Sequence, residues 1–420
     1  MKKLIASSSL LILLASVGSA SAQAKRPLSL DDLAKLKNVG DPQCAPDGKS
    51  IAFVVSQIDA KDDKPGNSHI WSVGVDGANE RQITSSNESE SSPRFSPDGR
   101  YLSFTSSRPG KAKGNQIWLL DRSGGEAFQL TEIKGRLQGY EWAPDSKRIA
   151  MVVGDPDPDA PDPSAGAGAA PKAPKPIVID RYKFKQDVQG YLLSGRHSYV
   201  YLFDIATKEM KRLTNGKADE SSPSWSPDGT RVAFMSNRNA DPDREPSSQL
   251  FVVEAKPGSA EKALSPMTSR GGRGAPEWSP DGARIAFLEG DEKKDGAYGM
   301  EHLAIVPADG SAPPRRVAAS EALDRGVSQP RWGDAKTIYA IVTDDMSAYG
   351  ARIPIEGGAA APITDRPIVL GPRHSAASCA VAISGDDSRP NEVYAAGAVG
   401  GKLKFQQLTH QNDALFAGLQ

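Results

Sequence analysis

Histidine and cysteine are scarce in this 420-residue chain, with five of the one and two of the other. Two cysteines cannot build a disulfide framework, so apolar burial must hold the fold, and a chain this long supplies enough of it. The histidines (His69, His197, His302, His374 and His410) stand apart along the sequence. A zinc site draws on two or three ligands at helix or hairpin spacing, so no metal centre is assigned and the histidines read as surface or loop residues. Missing as well is Gly-x-Ser-x-Gly, the sharp turn that presents a serine nucleophile. The nearest string, Gly326-Val327-Ser328-Gln329-Pro330, lacks the second glycine. No catalytic residue and no cofactor are therefore assigned. Charge of one sign is also lacking: 51 basic residues face 52 acidic ones. That balance carries no footprint for nucleic acid or an anionic membrane.

Long apolar runs are absent except at the start. Lys2 and Lys3 precede the run Leu10 to Leu14, followed by Ala20-Ser21-Ala22. A charged start, a short apolar core and a small-x-small ending compose a secretory leader, with cleavage after Ala22. The run is far shorter than the roughly 20 residues a membrane-spanning helix needs. Residues 1–22 thus read as a signal peptide and the mature chain as periplasmic or secreted. Without Lys2 and Lys3, 49 basic residues face 52 acidic, a formal charge of −3.

What is abundant is glycine (40), proline (32) and one recurring motif. It reads Pro-x-aromatic-Ser/Ala-Pro-Asp-Gly followed by an apolar strand, and begins at Pro42, Pro93, Tyr140, Pro223 and Pro276. Worn copies are expected from Pro330 and Ala382. Proline presets the second position of a type I turn and glycine suits the left-handed residue after it, so the motif predicts a bulged hairpin. Asp47, Asp98, Asp145, Asp228 and Asp281 fall at one fixed turn position, where a carboxylate accepts local backbone hydrogen bonds. Their repetition marks them as structural rather than catalytic. A second hairpin follows each motif, ending in Leu/Ile-Thr as at Ile83-Thr84, Leu130-Thr131, Leu213-Thr214, Ile363-Thr364 and Leu408-Thr409. Two hairpins per repeat and seven repeats predict an all-β fold, a seven-bladed β-propeller of four-stranded antiparallel blades.

The spacing agrees: 51 residues separate Asp47 from Asp98, 47 separate Asp98 from Asp145, and 53 separate Asp228 from Asp281. The gap of 83 from Asp145 to Asp228 holds one blade plus an insertion between its second and third strands. That insertion in blade 3, residues 155–190, opens as a Pro/Ala-rich linker and continues as an aromatic, charged excursion from Ile177. A short helix is expected within 23–38, capped by Ser29 with Asp32 three residues on, its Leu30, Leu33 and Leu36 covering a propeller edge. The propeller proper spans 39–409. Blade 1 starts and blade 7 ends with its own strands, so the seam between them is expected to close mainly by face packing, without a shared hydrogen-bond ladder, and to be the weakest in the ring. Cys44 replaces the motif aromatic and Cys379 falls in blade 7; whether they pair is left open by the sequence. Arg108 and Arg238 read as exposed loop arginines, with a peptide carboxylate as the alternative partner.

The whole chain resembles the N-terminal half of bacterial serine peptidases of the prolyl-oligopeptidase family, in the acylaminoacyl-peptidase and dipeptidyl-aminopeptidase branch. The resemblance rests on the entry LSLDDLAKLKNVGDPQCAPDGKSIAF, the excursion PIVIDRYKFKQDVQGYL and the exit LTHQNDALFAGLQ. It implies a non-catalytic propeller that gates an α/β-hydrolase partner domain and admits peptides of limited size. Residues 410–420 would begin the connection to that domain, with His410 at the junction. Arg181, Tyr182, Asp187 and Tyr191 of the excursion would face the substrate chamber. The repeat is shared with free-standing Tol-system propellers, so a protein-binding module is the alternative; a lyase or glycosidase propeller finds no clustered acids or histidines to support it.

Overall fold

The structure, a computed structural model, describes residues 25–419 apart from 60–63, 157–175, 188–189, 193–194, 270–273, 292–299, 365–368, 377–378 and 400–401. The leader and most of the Pro/Ala-rich linker lie outside the described residues. Seven antiparallel sheets follow one another along the chain, each with four strands in sequence order, and in the fourth a further two-residue strand, Thr268–Ser269, pairs with the third strand. Blade 1 comprises Lys37–Cys44, Ser50–Asp59, Lys64–Gly74 and Arg81–Gln82. Blade 2 runs from Glu90–Phe95 to Phe128–Gln129, blade 3 from Arg136–Trp142 to Met210–Arg212, and blade 4 from Glu220–Trp225 to Lys262–Ala263. Blade 5 runs from Glu277–Trp278 to Arg315–Arg316, blade 6 from Val327–Asp334 to Ala361–Pro362, and blade 7 from Val369–Ala376 to Lys402–Gln407. This is the seven-bladed propeller that the repeat predicts, with the insertion between the second and third strands of blade 3. The outermost strands of blades 1 to 6 are only two or three residues long.

Second strands such as Tyr101–Ser106 and Arg231–Ser236 are buried along nearly their whole length. They sit between two neighbouring blades, so both faces are apolar and simple alternation disappears. The core therefore consists of layers between blades. Ile117, Leu119, Tyr140, Trp142 and Met151 fill the layer between blades 2 and 3, and Val200, Trp225, Phe234 and Phe251 the next.

Each motif residue has a part in this packing. The turn aspartates Asp47, Asp98, Asp145, Asp228 and Asp281 each accept the backbone N–H two residues ahead at 2.8–3.0 Å. Gly229, at φ 67°, takes the left-handed position, and in blade 3 Ser146 takes it at φ 58°. The motif's first proline marks a bulge: Asp41, Ser92, Ser222 and Gln329, each just before a proline, have φ of 46–53°, and the strand registers shift there. Proline has no N–H to lose from the ladder, which suits it to a bulge.

The aromatic ties its blade to the one before. Trp142 donates its indole N–H to Ser103 Oγ at 2.8 Å, Trp225 to the Glu141 carbonyl at 3.2 Å, Trp278 to the Ser224 carbonyl at 3.1 Å, and Trp332 to the Glu277 carbonyl at 2.9 Å. Arg148, Arg231 and Arg284 reach forward onto the rings of Trp225, Trp278 and Trp332 and donate to turn carbonyls of the next blade. The Leu/Ile-Thr ending also acquires a reason. The hydroxyls of Thr84, Thr131, Thr214, Thr364 and Thr409 accept the N–H of Ile70, Ile117, Val200, Gly350 and Val393 on the adjacent third strand. Thr84 and Thr409 then donate to buried Glu90 and Glu392.

Two expectations change and a third is refined. The helix is a single turn, Leu30–Leu33, with a Ser29/Asp32 capping box, and its leucines do not cover the propeller: Leu30 is 84% exposed. The buried residue is Asp32, held by Ser29, Arg26 and Lys35. In blade 7 the segment from Ala382 forms the hairpin between second and third strands; the first hairpin pairs Arg373 with Ala382 in the register that Arg94 and Ser103 share in blade 2, so the true seventh copy starts at Pro372. At the seam, among the described residues no strand is shared between blades 1 and 7, as expected, and the face packing there is reinforced. Cys44 and Cys379 form a disulfide, and Asn412 accepts from Lys37 N–H while donating to the Lys37 carbonyl and to Glu392 of blade 7.

The exposed turn carboxylate of Asp228 accepts from Ser226 and Thr230, which hold it down at about 2. Asp228→Ala should lower stability at pH 7 by about 0.5–1 kcal/mol, the low end for a hydrogen-bonded charge because water screens it. A depressed carboxylate stabilises above its unfolded value near 4, and this contribution fades as the pH falls toward 2. Chemical denaturation at pH 7 and pH 2 measures both.

A charged tunnel and an apolar face

The first strands surround a central tunnel of about 900 Å³. Its charged lining comes from one position, the residue between proline or tyrosine and the motif aromatic: Arg94, Glu141, Glu277 and Arg331, with Gln43 and Ser224 at the same place in blades 1 and 4. Arg94 pairs with Asp41 of blade 1 at 2.9 Å, and Arg331 with Glu277 of blade 5 at 2.6 Å. Arg373 holds the equivalent register in blade 7. Glu141 is partly open to the tunnel, yet protein surrounds it. Burial, and then the nearby Glu277 charge, push it up to about 8 against the pull of Arg331 and Arg94. Sequence reasoning did not single out these residues. The signal was the variable position of an otherwise repetitive motif, reading Gln, Arg, Glu, Ser, Glu, Arg through six blades.

Every blade's first strand starts, and its second strand ends, on the same side of the ring, so this face also carries the loops between second and third strands, the insertion and both described chain ends. Arg26 and Gly418 meet there through a backbone hydrogen bond of 3.2 Å. Among the described residues thirteen large hydrophobics are exposed. Eleven belong to this side: Leu28, Leu30, Leu33, Ile58 and Met346, with Ile177, Val178, Ile179, Tyr182, Phe184 and Tyr191 of the insertion. Phe128 and Met210, on outer strands, are the exceptions. Exposed apolar residues concentrated on one side mark an interaction surface.

The four chamber candidates are not gathered at the tunnel. Arg181 pairs with Asp243 of blade 4, and Tyr182 lies beneath the Arg244 guanidinium at 4.6 Å. Both line a separate cavity of about 670 Å³ with His197 and Arg238. Asp187 and Tyr191 are exposed on the small hairpin of Lys185–Gln186 and Gly190–Tyr191, outside that lining. Arg108 and Arg238 are not exposed loop arginines. Arg108 pairs with Glu90 and lies against the Phe104 and Trp118 rings; Arg238 pairs with Glu220 and Glu261 and covers Phe251. Burial pushes Glu90 up, but its donors Ser86, His69 and Thr84, with the Arg108 charge, outweigh that and hold it low. At the matching place in blade 4, burial wins and lifts Glu220 to about 7. His69 and His302 are likewise not free surface residues. His69 meets Glu90 at 2.6 Å, and His302 lies between Asp291 and Glu321 at 2.7 and 2.6 Å.

Tandem blades tied by a Pro-x-aromatic-Ser/Ala-Pro-Asp-Gly repeat define a class of propeller, and the comparisons place the chain within it. It belongs to the TolB beta propeller domain family, whose model matches residues 32–158 and 189–326. It is 32% identical over 229 residues to the uncharacterized peptidase YuxL of Bacillus subtilis, covering 54% of this chain and 34% of that protein. Among solved structures it is similar to acylaminoacyl peptidase of Pyrococcus horikoshii, with a TM-score of 0.69 and 18% identity, covering 92% of this chain and 55% of that one. It is also similar to the β-propeller domain of the trilobed protease of Pyrococcus furiosus, described as having an open velcro topology, with a TM-score of 0.61, 18% identity and 90% and 99% coverage. The chain thus spans a third to a half of the longer peptidases it matches, and it is related to peptidase propeller domains.

The raised Glu141 makes the folded protein bind more protons than the unfolded chain between about pH 4.5 and 8, so this group's contribution to stability falls as the pH rises through that window. Glu141→Gln should therefore raise the Tm at pH 8.5 by about 2–3 °C and leave it nearly unchanged at pH 4.5. Calorimetry at the two values checks the sign.

Proposed function

We propose that this propeller is the non-catalytic gate of an exported serine peptidase of the prolyl-oligopeptidase family. Its partner is an α/β-hydrolase domain that supplies the catalytic residues, and its substrates are peptides narrow enough to pass a ring of blades. The observation that carries the reading is the apolar face. Eleven of the thirteen exposed large hydrophobics lie on the side that also holds both described chain ends, where a covalently joined domain can cover them. The tunnel opens through the same ring, and its lining mixes apolar groups such as Phe95, Trp142 and Trp332 with the paired charges of Arg94 and Arg331, which suits passage of peptide more than tight retention. The family match favours a second reading, a Tol-like module that binds a protein partner without any hydrolase.

The two readings part on what covers the apolar face. Supplied in trans with the part of the Bacillus subtilis relative that lies beyond its match to this chain, the chain should associate with it, and Leu30→Asp together with Ile177→Asp should weaken that association at least tenfold. Phe128→Asp, away from the face, should leave it intact. Sedimentation velocity reads the result, and no association, or equal loss from all three substitutions, counts for the binding module instead. Export rests on the leader: protein recovered from the cell envelope should begin at Gln23, which N-terminal sequencing checks.

A further inference from the structure

In four blades the motif aromatic is a tryptophan whose indole bonds to the preceding blade, to a first-strand carbonyl in three of them and to Ser103 Oγ on the second strand in the other. Blade 1 carries Cys44 at that position, and the blade before it in the ring is blade 7. Cys44 is bonded there to Cys379, the first residue of blade 7's second strand, across 335 residues of sequence. The covalent bond stands where the other seams have an indole hydrogen bond, and it stands at the seam that no shared strand closes. Both cysteines are buried, in a layer with Val39, Phe53, Val381 and Val393.

The two ends of this seam are tied differently. Cys44 ends its strand at the Pro-Asp-Gly turns, and Cys379 starts its strand on the same side. On the opposite side, Asn412 bridges the Lys37 backbone and Glu392, and Lys37 Nζ donates to Gln411 at 3.1 Å. We infer that the buried Cys44–Cys379 disulfide is the covalent latch of the ring, and that breaking it opens the seam between blades 1 and 7 from the turn side while Asn412 keeps the other side hinged. Closing the latch removes two protons and two electrons from the two thiols, taken up by a disulfide-bearing oxidant; a dithiol reductant returns them. In the gating reading, a closed latch confines peptides to the tunnel and the space between domains, and an open one adds a lateral entrance. Where in the cell the latch closes rests on the export proposed above; the latch itself does not.

Hydrogen exchange on the purified full chain, oxidised and after treatment with dithiothreitol, tests this. Exchange should quicken at least tenfold in residues 43–53 and 379–384 on reduction, and stay unchanged at 37–39, 392–393 and 408–412. The Tm should fall by about 5 °C, as expected for opening a very long covalent loop in a chain of this size. Cys44→Ser with Cys379→Ser should show the reduced pattern with or without reductant. Cys44→Trp with Cys379→Ala should recover part of the protection; if that variant fails to fold, the serine pair still decides. Two free thiols in the unreduced, denatured chain would overturn the inference, as would equal exchange in the two states or a uniform increase over all seven blades. An unprocessed leader would count against export and leave these results untouched.

Discussion

A propeller blade cannot bury itself. Its middle strands are apolar on both faces, so each sheet is stable only when clasped by a neighbour on either side, and the ring is the smallest arrangement that gives all seven blades two neighbours. Everything else follows from how one blade grips the last. Here the grip is local and repeated: an indole N–H passes back to the previous innermost strand, and an arginine passes forward over the next indole to a turn carbonyl. Since blade-to-blade contact is the fold's main source of buried area, residues that fix its geometry set the angle at which the ring closes.

The same short stretch of chain also sets the character of the tunnel. One residue before the aromatic, chemistry is free to vary, because that side chain meets the tunnel rather than the neighbouring layer. Arg94 and Arg331 are each matched by a carboxylate from the preceding blade, so the charges of the lining are largely paired. Structure and surface chemistry are thus written in adjacent letters of one motif.

How much of this was legible follows from which residues repeat. The Pro-Asp-Gly turn and the apolar strand after it have local causes, so the blade number and the place of the insertion could be read from the chain. The Leu/Ile-Thr ending was visible too, but its purpose was not: Thr84 and Thr409 answer buried Glu90 and Glu392, several residues away and on other strands. Blade 7 was misread because its turn has lost Pro-Asp-Gly, and an acidic turn ten residues later, at Asp386, imitates it. The leucines of the first helix were misassigned since amphipathic spacing does not say what lies opposite; Leu30 and Leu33 face outward. The tunnel charges escaped notice because they occupy the one position where the repeat does not repeat.

The brevity of the outer strands has a consequence for the company the molecule keeps. A sheet's last strand offers unpaired N–H and C=O groups that can recruit another chain as an extra strand. In six blades that strand is two or three residues long, too short to template such an addition. Among the described strands blade 7 ends on a longer one, Lys402–Gln407, and there exposed Lys404 places a charge that opposes a stacking neighbour. The rim of the ring therefore repels strand addition, and a crowded solution of these molecules should stay free of rim-to-rim fibres.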